Sequence, residues 1–279
     1  MKFVRYGEAG REKPGLLDKA GAIRSLEGHV ADIDARLLGD ATALAALAKL
    51  DPESLPLVEG AHRLGCPLAG IGKIVGVGLN YHDHARECDL PIPAEPILFL
   101  KATTSLCGPD DDIRLPEGAE KADWEVELGV VIGRTAKDVP QDDALSYVFG
   151  YCVAHDVSER AHQLERGGQW TKGKSHDTFC PVGPWLVSAD ELGDPQALAM
   201  WCDVQGVRRQ SSSTAEMIFG VAEVVSYISR FMTLLPGDLI ITGTPAGVGL
   251  GQRPPFYLKR GDTVRLGIAG LGEQRQAVV

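Results

Sequence analysis

Asp123, Glu125 and Glu127 alternate with Trp124, Val126 and Leu128 in the stretch Asp-Trp-Glu-Val-Glu-Leu-Gly-Val-Val-Ile-Gly, residues 123 to 133. A side-chain period of two is that of a β-strand, so the three acids share one face, their Cα atoms roughly 6.5 to 7 Å apart. A half-exposed strand would alternate in the same way. Here, however, Gly129, Val131 and Gly133 continue the acidic face without a charge, placing the acids at one end of an otherwise buried strand. Carboxylates that close repel one another unless a proton or cation lies between them. An all-oxygen donor set favours a hard ion, Mg²⁺ or else Mn²⁺, over zinc. Asp156 ends the mostly apolar run from Tyr147 and is a candidate third ligand. His155, inside that run, reads as a hydrogen-bonded core residue.

Four further groups have chemistry to offer. His84 and Glu87 stand three apart in Asn80-Tyr81-His82-Asp83-His84-Ala85-Arg86-Glu87, a polar segment directly after the glycine-rich run 71–79, so one helical turn brings them together. A carboxylate on one imidazole nitrogen raises the basicity of the other, as a general base for water requires. Arg160 and Gln163 share a turn just after Asp156. Lys174 lies in a Gly-Ser turn before an apolar segment, placed to meet substrate oxyanions. The loop from Gly243 to Gly249 carries Thr244, and its hydroxyl and free N–H groups suit a carboxylate.

Positioning these groups calls for a strand-rich α+β fold. Strands are expected at 2–6, 14–17 and 22–26 as a small meander, then at 71–79, 97–101, 123–133, 147–156 and 239–242, with two more after Gly261 closing the sheet. Helical spacing covers 30–50, interrupted at Gly39-Asp40, and the stripe Met217, Val221, Val224, Val225, Ile228. Prolines 52, 56 and 67 punctuate an exit that predicts a small N-terminal lid or accessory domain, 1–68, and a larger unit, 69–279. The net charge of −10 and the lack of a basic run argue against nucleic acid or an anionic membrane as partner. The six cysteines are never closer than the 19 residues from Cys88 to Cys107, which excludes a Cys-x-x-Cys zinc cluster and predicts free thiols in a reducing, cytoplasmic setting.

In order and spacing, Asn80-Tyr81 with His84 and Glu87, Leu98-Phe99-Leu100-Lys101, Glu125-Val126-Glu127-Leu128, Asp156-Val157-Ser158, Lys174-Ser175 and Thr242-Gly243-Thr244-Pro245 resemble the fumarylacetoacetate hydrolase family over roughly residues 70 to 270. The resemblance implies a mixed β-roll after a smaller N-terminal domain, assembled as a homodimer or higher homo-oligomer. It implies Glu125, Glu127 and Asp156 as ligands of Mg²⁺ or Mn²⁺ and His84 with Glu87 as base dyad. Lys174 and Gln163 would act on the reacting oxygens, with Thr244, Arg160 and Tyr81 at the substrate. The reaction so implied is hydrolysis of the C3–C4 bond of a 2,4-diketo acid. Within the family, the N-terminal segment and residues 254–262 look most like hydrolases of 2,4-diketo-3-deoxy-L-rhamnonate or L-fuconate, which would release pyruvate and L-lactate. Acylpyruvases, oxaloacetate decarboxylases and isomerases of 2-hydroxymuconate type are the alternatives, and a non-catalytic metal-dependent binding module is a distant one. His176 stands where an aromatic residue is expected after Lys-Ser.

Overall fold

The computed structural model describes all 279 residues. Nine strands form its main sheet, in the spatial order Ile23–Ser25, Lys13–Leu17, Lys2–Tyr6, Leu186–Ser188, Val148–His155, Val126–Ile132, Leu239–Ile241, Ile74–Gly78 and Ile97–Lys101. All neighbours are antiparallel except Leu239–Ile241 beside Ile74–Gly78. The expected N-terminal meander is present, and helices Ala35–Leu38 and Ala41–Leu47 follow it. Asp34 and Asp40 cap them by accepting from N–H groups two and three residues on.

The meander does not stand apart as a lid. Lys2–Tyr6 pairs with Leu186–Ser188, Phe3 opposite Leu186, and so extends the main sheet. Phe3, Leu16, Leu26 and Ile33 pack in one core with Val131, Cys152 and Leu239 from beyond residue 68. The division expected at 68 thus separates two stretches of chain that share a sheet and a core. The physical reason is size: three short strands and two short helices bury little apolar surface until they lean on the larger sheet.

The final two strands, Thr263–Ile268 and Gly272–Ala277, do not close this sheet. They join Ala199–Val204 and Val207–Ser213 in a second, four-stranded antiparallel sheet. The hairpin at its edge turns on Gln205 and Gly206, both with positive φ as a tight turn matched to strand twist needs. Met200, Cys202, Val264 and Leu266 from this sheet pack against Val126, Leu128 and Val130 from the first. The central strand is therefore sandwiched: its even-numbered residues face the second sheet, while Val131 faces the core shared with the N-terminus. This is why Val126–Ile132 is buried along its whole length.

The amphipathic helix runs from Val221 to Phe231 and buries Val221, Val224, Val225 and Ile228. Met217 is buried but lies ahead of it, because Ser213 caps a separate turn at Thr214–Glu216.

Candidate active site

The acidic stretch is broken where the sequence pattern ran on. Ala122–Asp123 pairs with Ser158–Glu159, and the main strand begins only at Val126. Asp123 therefore leaves the shared face: its carboxylate accepts from the N–H groups of Gly249 (2.6 Å) and Leu250 (3.0 Å) and from Arg160 Nε (2.9 Å). Glu125, Glu127 and Asp156 do converge. Val126 lies opposite His155, and the Asp156 N–H donates to the Glu125 carbonyl at 3.0 Å. One carboxylate oxygen from each of the three lies within 4.8 Å of the others, all buried. His155 stays out of this group, its Nδ1 on Gln276 at 3.1 Å, and burial lowers its pKa to about 3.

Cations surround the acids. Lys174 Nζ stands 2.7 Å from Glu125 and 2.6 Å from Asp156, Lys101 Nζ is 2.5 Å from the other Asp156 oxygen, and both lysines are buried. Arg160 Nη2 is 2.6 Å from Glu125 and 2.8 Å from Asp123, at angles too bent for hydrogen bonds, so these are ion-pair contacts. Four carboxylates thus meet three cations, and the surplus falls on Glu127, whose only polar contact is the Gly243 N–H at 2.8 Å. Burial, then Asp156 and Glu125, push the Glu127 pKa well above the carboxylate range. Glu125 is opposed by burial too, yet Lys174 and Arg160 hold it well below. A buried carboxylate without a cationic partner next to two others is the charge balance a divalent cation would complete, and the all-oxygen donors suit a hard one.

His84 and Glu87 lie on the helix His82–Glu87, with Nδ1 and Oε2 3.1 Å apart. Burial lowers the His84 pKa, but Cys88 and Glu87 outweigh it and raise the value to about 9. The second Glu87 oxygen accepts from the Gly247 N–H at 2.9 Å. That loop needs its glycines. Gly247 has φ +107°, and a Cβ there would stand 1.9 Å from the Arg209 carbonyl; Gly243 has φ +95° and presents its N–H to Glu127.

One cavity of about 420 Å³ gathers His84, Glu125, Glu127, Arg160, Gln163, Lys174 and Thr244. Its remaining wall is mostly apolar, with Leu90, Pro91, Ile97, Phe99, Leu164 and Trp170. No residue before Val77 lines it. Gln163 accepts from Arg160 Nη1 at 3.0 Å, and Thr244 donates to the Val126 carbonyl while accepting from Gln210. Tyr81, expected at the substrate, is turned away: it is fully buried with its hydroxyl on Met200 Sδ at 3.2 Å. Coming off the strand Ile74–Gly78 ahead of the helix, its ring fills the space between the two sheets. His176 points elsewhere too, its Nε2 2.9 Å from His162 Nδ1 and its ring edge-on to Phe179.

Sequence reasoning missed Lys101 and Gln210. Lys101 is the only charge in the run Ile97–Lys101, a signal of a buried pair. Gln210 ties Val126, Thr244 and Pro245 together from the unforeseen hairpin.

A strand-rich sandwich whose cavity joins an acid triad to a His–Glu pair defines a class. Residues 73–279 match the model of the fumarylacetoacetate (FAA) hydrolase C-terminal family, and the chain belongs to that family of hydrolases and isomerases. The chain is 57% identical over 277 residues to a Burkholderia orbicola protein whose name assigns it provisionally to the hydrolases, covering 99% of this chain and 98% of that one. Among solved structures it is similar to the fumarylacetoacetate hydrolase of Exiguobacterium antarcticum (35% identity, TM-score 0.89, 100% of this chain and 99% of that one). The maleylpyruvate hydrolase of a Sphingobium species is also similar (30%, 0.83, 100% and 99%). So is a 2-hydroxyhepta-2,4-diene-1,7-dioate isomerase of Mycobacterium marinum (36%, 0.75, 100% and 98%). No helix of the chain is long and apolar enough to cross a membrane.

Proposed function

We propose that this protein hydrolyses the C3–C4 bond of a 2,4-diketo acid with the help of Mg²⁺ or Mn²⁺. The observation that carries this reading is that His84, paired with Glu87, opens onto the same cavity as Glu125 and Glu127. Moving a double bond calls only for a base at carbon, whereas hydrolysis also calls for an activated water, which a carboxylate-oriented imidazole beside the acids can supply. Glu125, Glu127 and Asp156 would hold the cation. When bound, it supplies charge stabilisation to the substrate carboxylate and 2-keto oxygens.

The chain's own groups account for the remaining steps. His84, held by Glu87, takes a proton from water, and the hydroxide adds to the C4 carbonyl. Two of the three Lys174 N–H donors are engaged by Glu125 and Asp156, which leaves one for the oxyanion at C4. The Gln163 side-chain N–H groups are unengaged, because only its oxygen is taken by Arg160. Collapse of that oxyanion breaks C3–C4 and moves the electron pair towards the 2-keto group. Protonation at C3 then gives pyruvate, and the other fragment leaves as a carboxylic acid. Thr244 lines the cavity, but its hydroxyl proton goes to the Val126 carbonyl and the N–H groups of Gly243, Gly247 and Gly249 go to Glu127, Glu87 and Asp123, so a role at the substrate carboxylate would require Thr244 to give up its bond to Val126.

The motif resemblance points to a deoxy-sugar-acid tail derived from L-rhamnonate or L-fuconate. The cavity wall favours another member of the same class, since hydroxyls set against Leu90, Ile97, Phe99 and Trp170 would lose hydrogen bonds to water without replacement. An alkyl or acyl tail fits that wall. The test is pyruvate release from 2,4-diketo-3-deoxy-L-rhamnonate, its fuconate epimer, a medium-chain acylpyruvate and oxaloacetate, with and without Mg²⁺. Magnesium-dependent release from at least one diketo acid, fastest for the acylpyruvate, is expected. Double-bond migration in a dienoate with no cleavage of any diketo acid would contradict the reading.

A further inference from the structure

His84, Glu87 and Cys88 form a second cluster, unlike the acid triad in chemistry: one nitrogen, one carboxylate and one thiol, with ligand atoms within 4.8 Å of one another. The residues stand at i, i+3 and i+4 around a single helical turn, so the backbone itself holds them together. The His84 Nδ1 to Glu87 Oε2 distance is 3.1 Å and that from Nδ1 to Cys88 Sγ is 3.8 Å. Around a tetrahedral zinc, with bonds of about 2.0 Å to N and O and 2.3 Å to S, the corresponding edges come to roughly 3.3 and 3.6 Å. These two edges need to move by only a few tenths of an ångström, and the third, from the Glu87 oxygen to the Cys88 sulfur, is no longer than 4.8 Å.

The cluster is also reachable. Cys88 and His84 face the catalytic cavity, while Cys88 and Glu87 line an adjoining cavity of about 490 Å³ next to Gly251, Gln252 and Arg253. A mixed N, O and S set discriminates against Mg²⁺, which wants oxygen alone, and in favour of borderline-soft ions.

We propose that His84, Glu87 and Cys88 form a binding site for Zn²⁺ or a similar borderline-soft cation, separate from the oxygen-only cluster, and that its occupation takes His84 out of service. On binding, the thiol proton passes to solvent, sulfur and Nδ1 become ligands, and the imidazole keeps its remaining proton on Nε2. The fourth coordination position is left to water from the cavity. The hydrolase reading supplies only the last consequence, loss of the base; the site stands or falls by its own spectroscopy.

The experiment adds Co²⁺ to the protein in saturating Mg²⁺. Wild type should develop the near-ultraviolet charge-transfer band of a cobalt thiolate, and Zn²⁺ should bleach it. Cys88→Ser should show no band and bind Zn²⁺ more than about 10-fold more weakly, since even outer-shell changes cost that much in metal affinity. Wild type alone provides a check that needs no variant: iodoacetamide modification of Cys88, located by mass spectrometry, should be suppressed by Zn²⁺ and untouched by Mg²⁺. A missing band in wild type, a band of equal strength in Cys88→Ser, or modification of Cys88 that Zn²⁺ does not slow would each overturn the site.

Discussion

The floor and the rim of the cavity are built on opposite plans. At the floor, Glu125, Glu127 and Asp156 come from two strands, and Lys101, Arg160 and Lys174 reach them from three further elements, all buried. At the rim, His84, Glu87 and Cys88 sit on one helical turn, each half-buried. The floor is a balance of charges far apart in sequence, expensive to form and fixed once formed. The rim is a local pairing set by one helical turn and tied to a distant loop by the Gly247 N–H on Glu87. Changes at the floor should therefore damage fold and activity together, and changes at the rim chiefly activity.

The strongest effect is expected from Glu125→Gln. It removes a proposed ligand and leaves Lys174 and Arg160 short of a buried partner, so divalent-ion binding by calorimetry should vanish and turnover fall by 10³-fold or more, on the order of the loss of a preorganised electrostatic group. Unchanged cation binding would mean that the surplus charge at Glu127 serves another purpose. His84→Ala should cost about 10² to 10⁴ in kcat while divalent binding holds, and thermal stability should hold above about pH 9, where the His84 charge no longer contributes. A fall in stability as large as that of a floor variant would erase the contrast between the two regions.

Lys101→Met sharpens the comparison from the other side. Breaking a buried pair by removing one partner costs about 3 to 5 kcal/mol, which urea denaturation would read directly. A loss under about 1 kcal/mol would show that Asp156 is satisfied without Lys101.

Proton occupancy gives a finer test at the rim. His84 has its pKa raised to about 9, so its charge stabilises the fold fully below the ordinary histidine value, and that contribution is lost as pH rises through about 9. The base, by contrast, works only when neutral. Activity should climb along an acid limb set by His84, and Glu87→Gln, which removes one of the raising influences, should move that limb to lower pH. A limb that stays in place assigns it to another group. The smallest effect belongs to the wall: Trp170→Ala should weaken an apolar-tailed substrate by about 1 to 3 kcal/mol in kcat/KM and leave a short-tailed one nearly unaffected.

The same contrast explains what the sequence could reveal. His84 and Glu87 were legible because three residues on a helix is a distance the backbone sets. Glu125 and Glu127 were legible because alternation on a strand is likewise local, but the pattern could not show that the strand breaks at Trp124 and hands Asp123 to Arg160 and the loop at Gly249. Asp156 was legible as the end of an apolar run, whereas its partner Lys101 depended on Ile97–Lys101 ending beside it, a fact of topology. Tyr81 misled because motif position says nothing of which way a ring turns between two sheets. The hairpin Ala199–Ser213 escaped notice because one of its faces is solvated and charged, blurring the apolar pattern, although Gln205-Gly206 was a turn signal in plain view. The N-terminal strands were recognised individually, but which sheet they join is decided by Phe3 opposite Leu186, about two-thirds of the chain length away.

The central claim is that three buried carboxylates hold a divalent ion without which the carbon–carbon bond is not cleaved. The most direct measurement is pyruvate release from an acylpyruvate by wild-type protein after exhaustive chelation, followed by stepwise return of Mg²⁺ with bound metal counted in the same samples. The account predicts no release from the stripped protein and recovery that saturates at one ion per chain. Full activity in the stripped protein would contradict it.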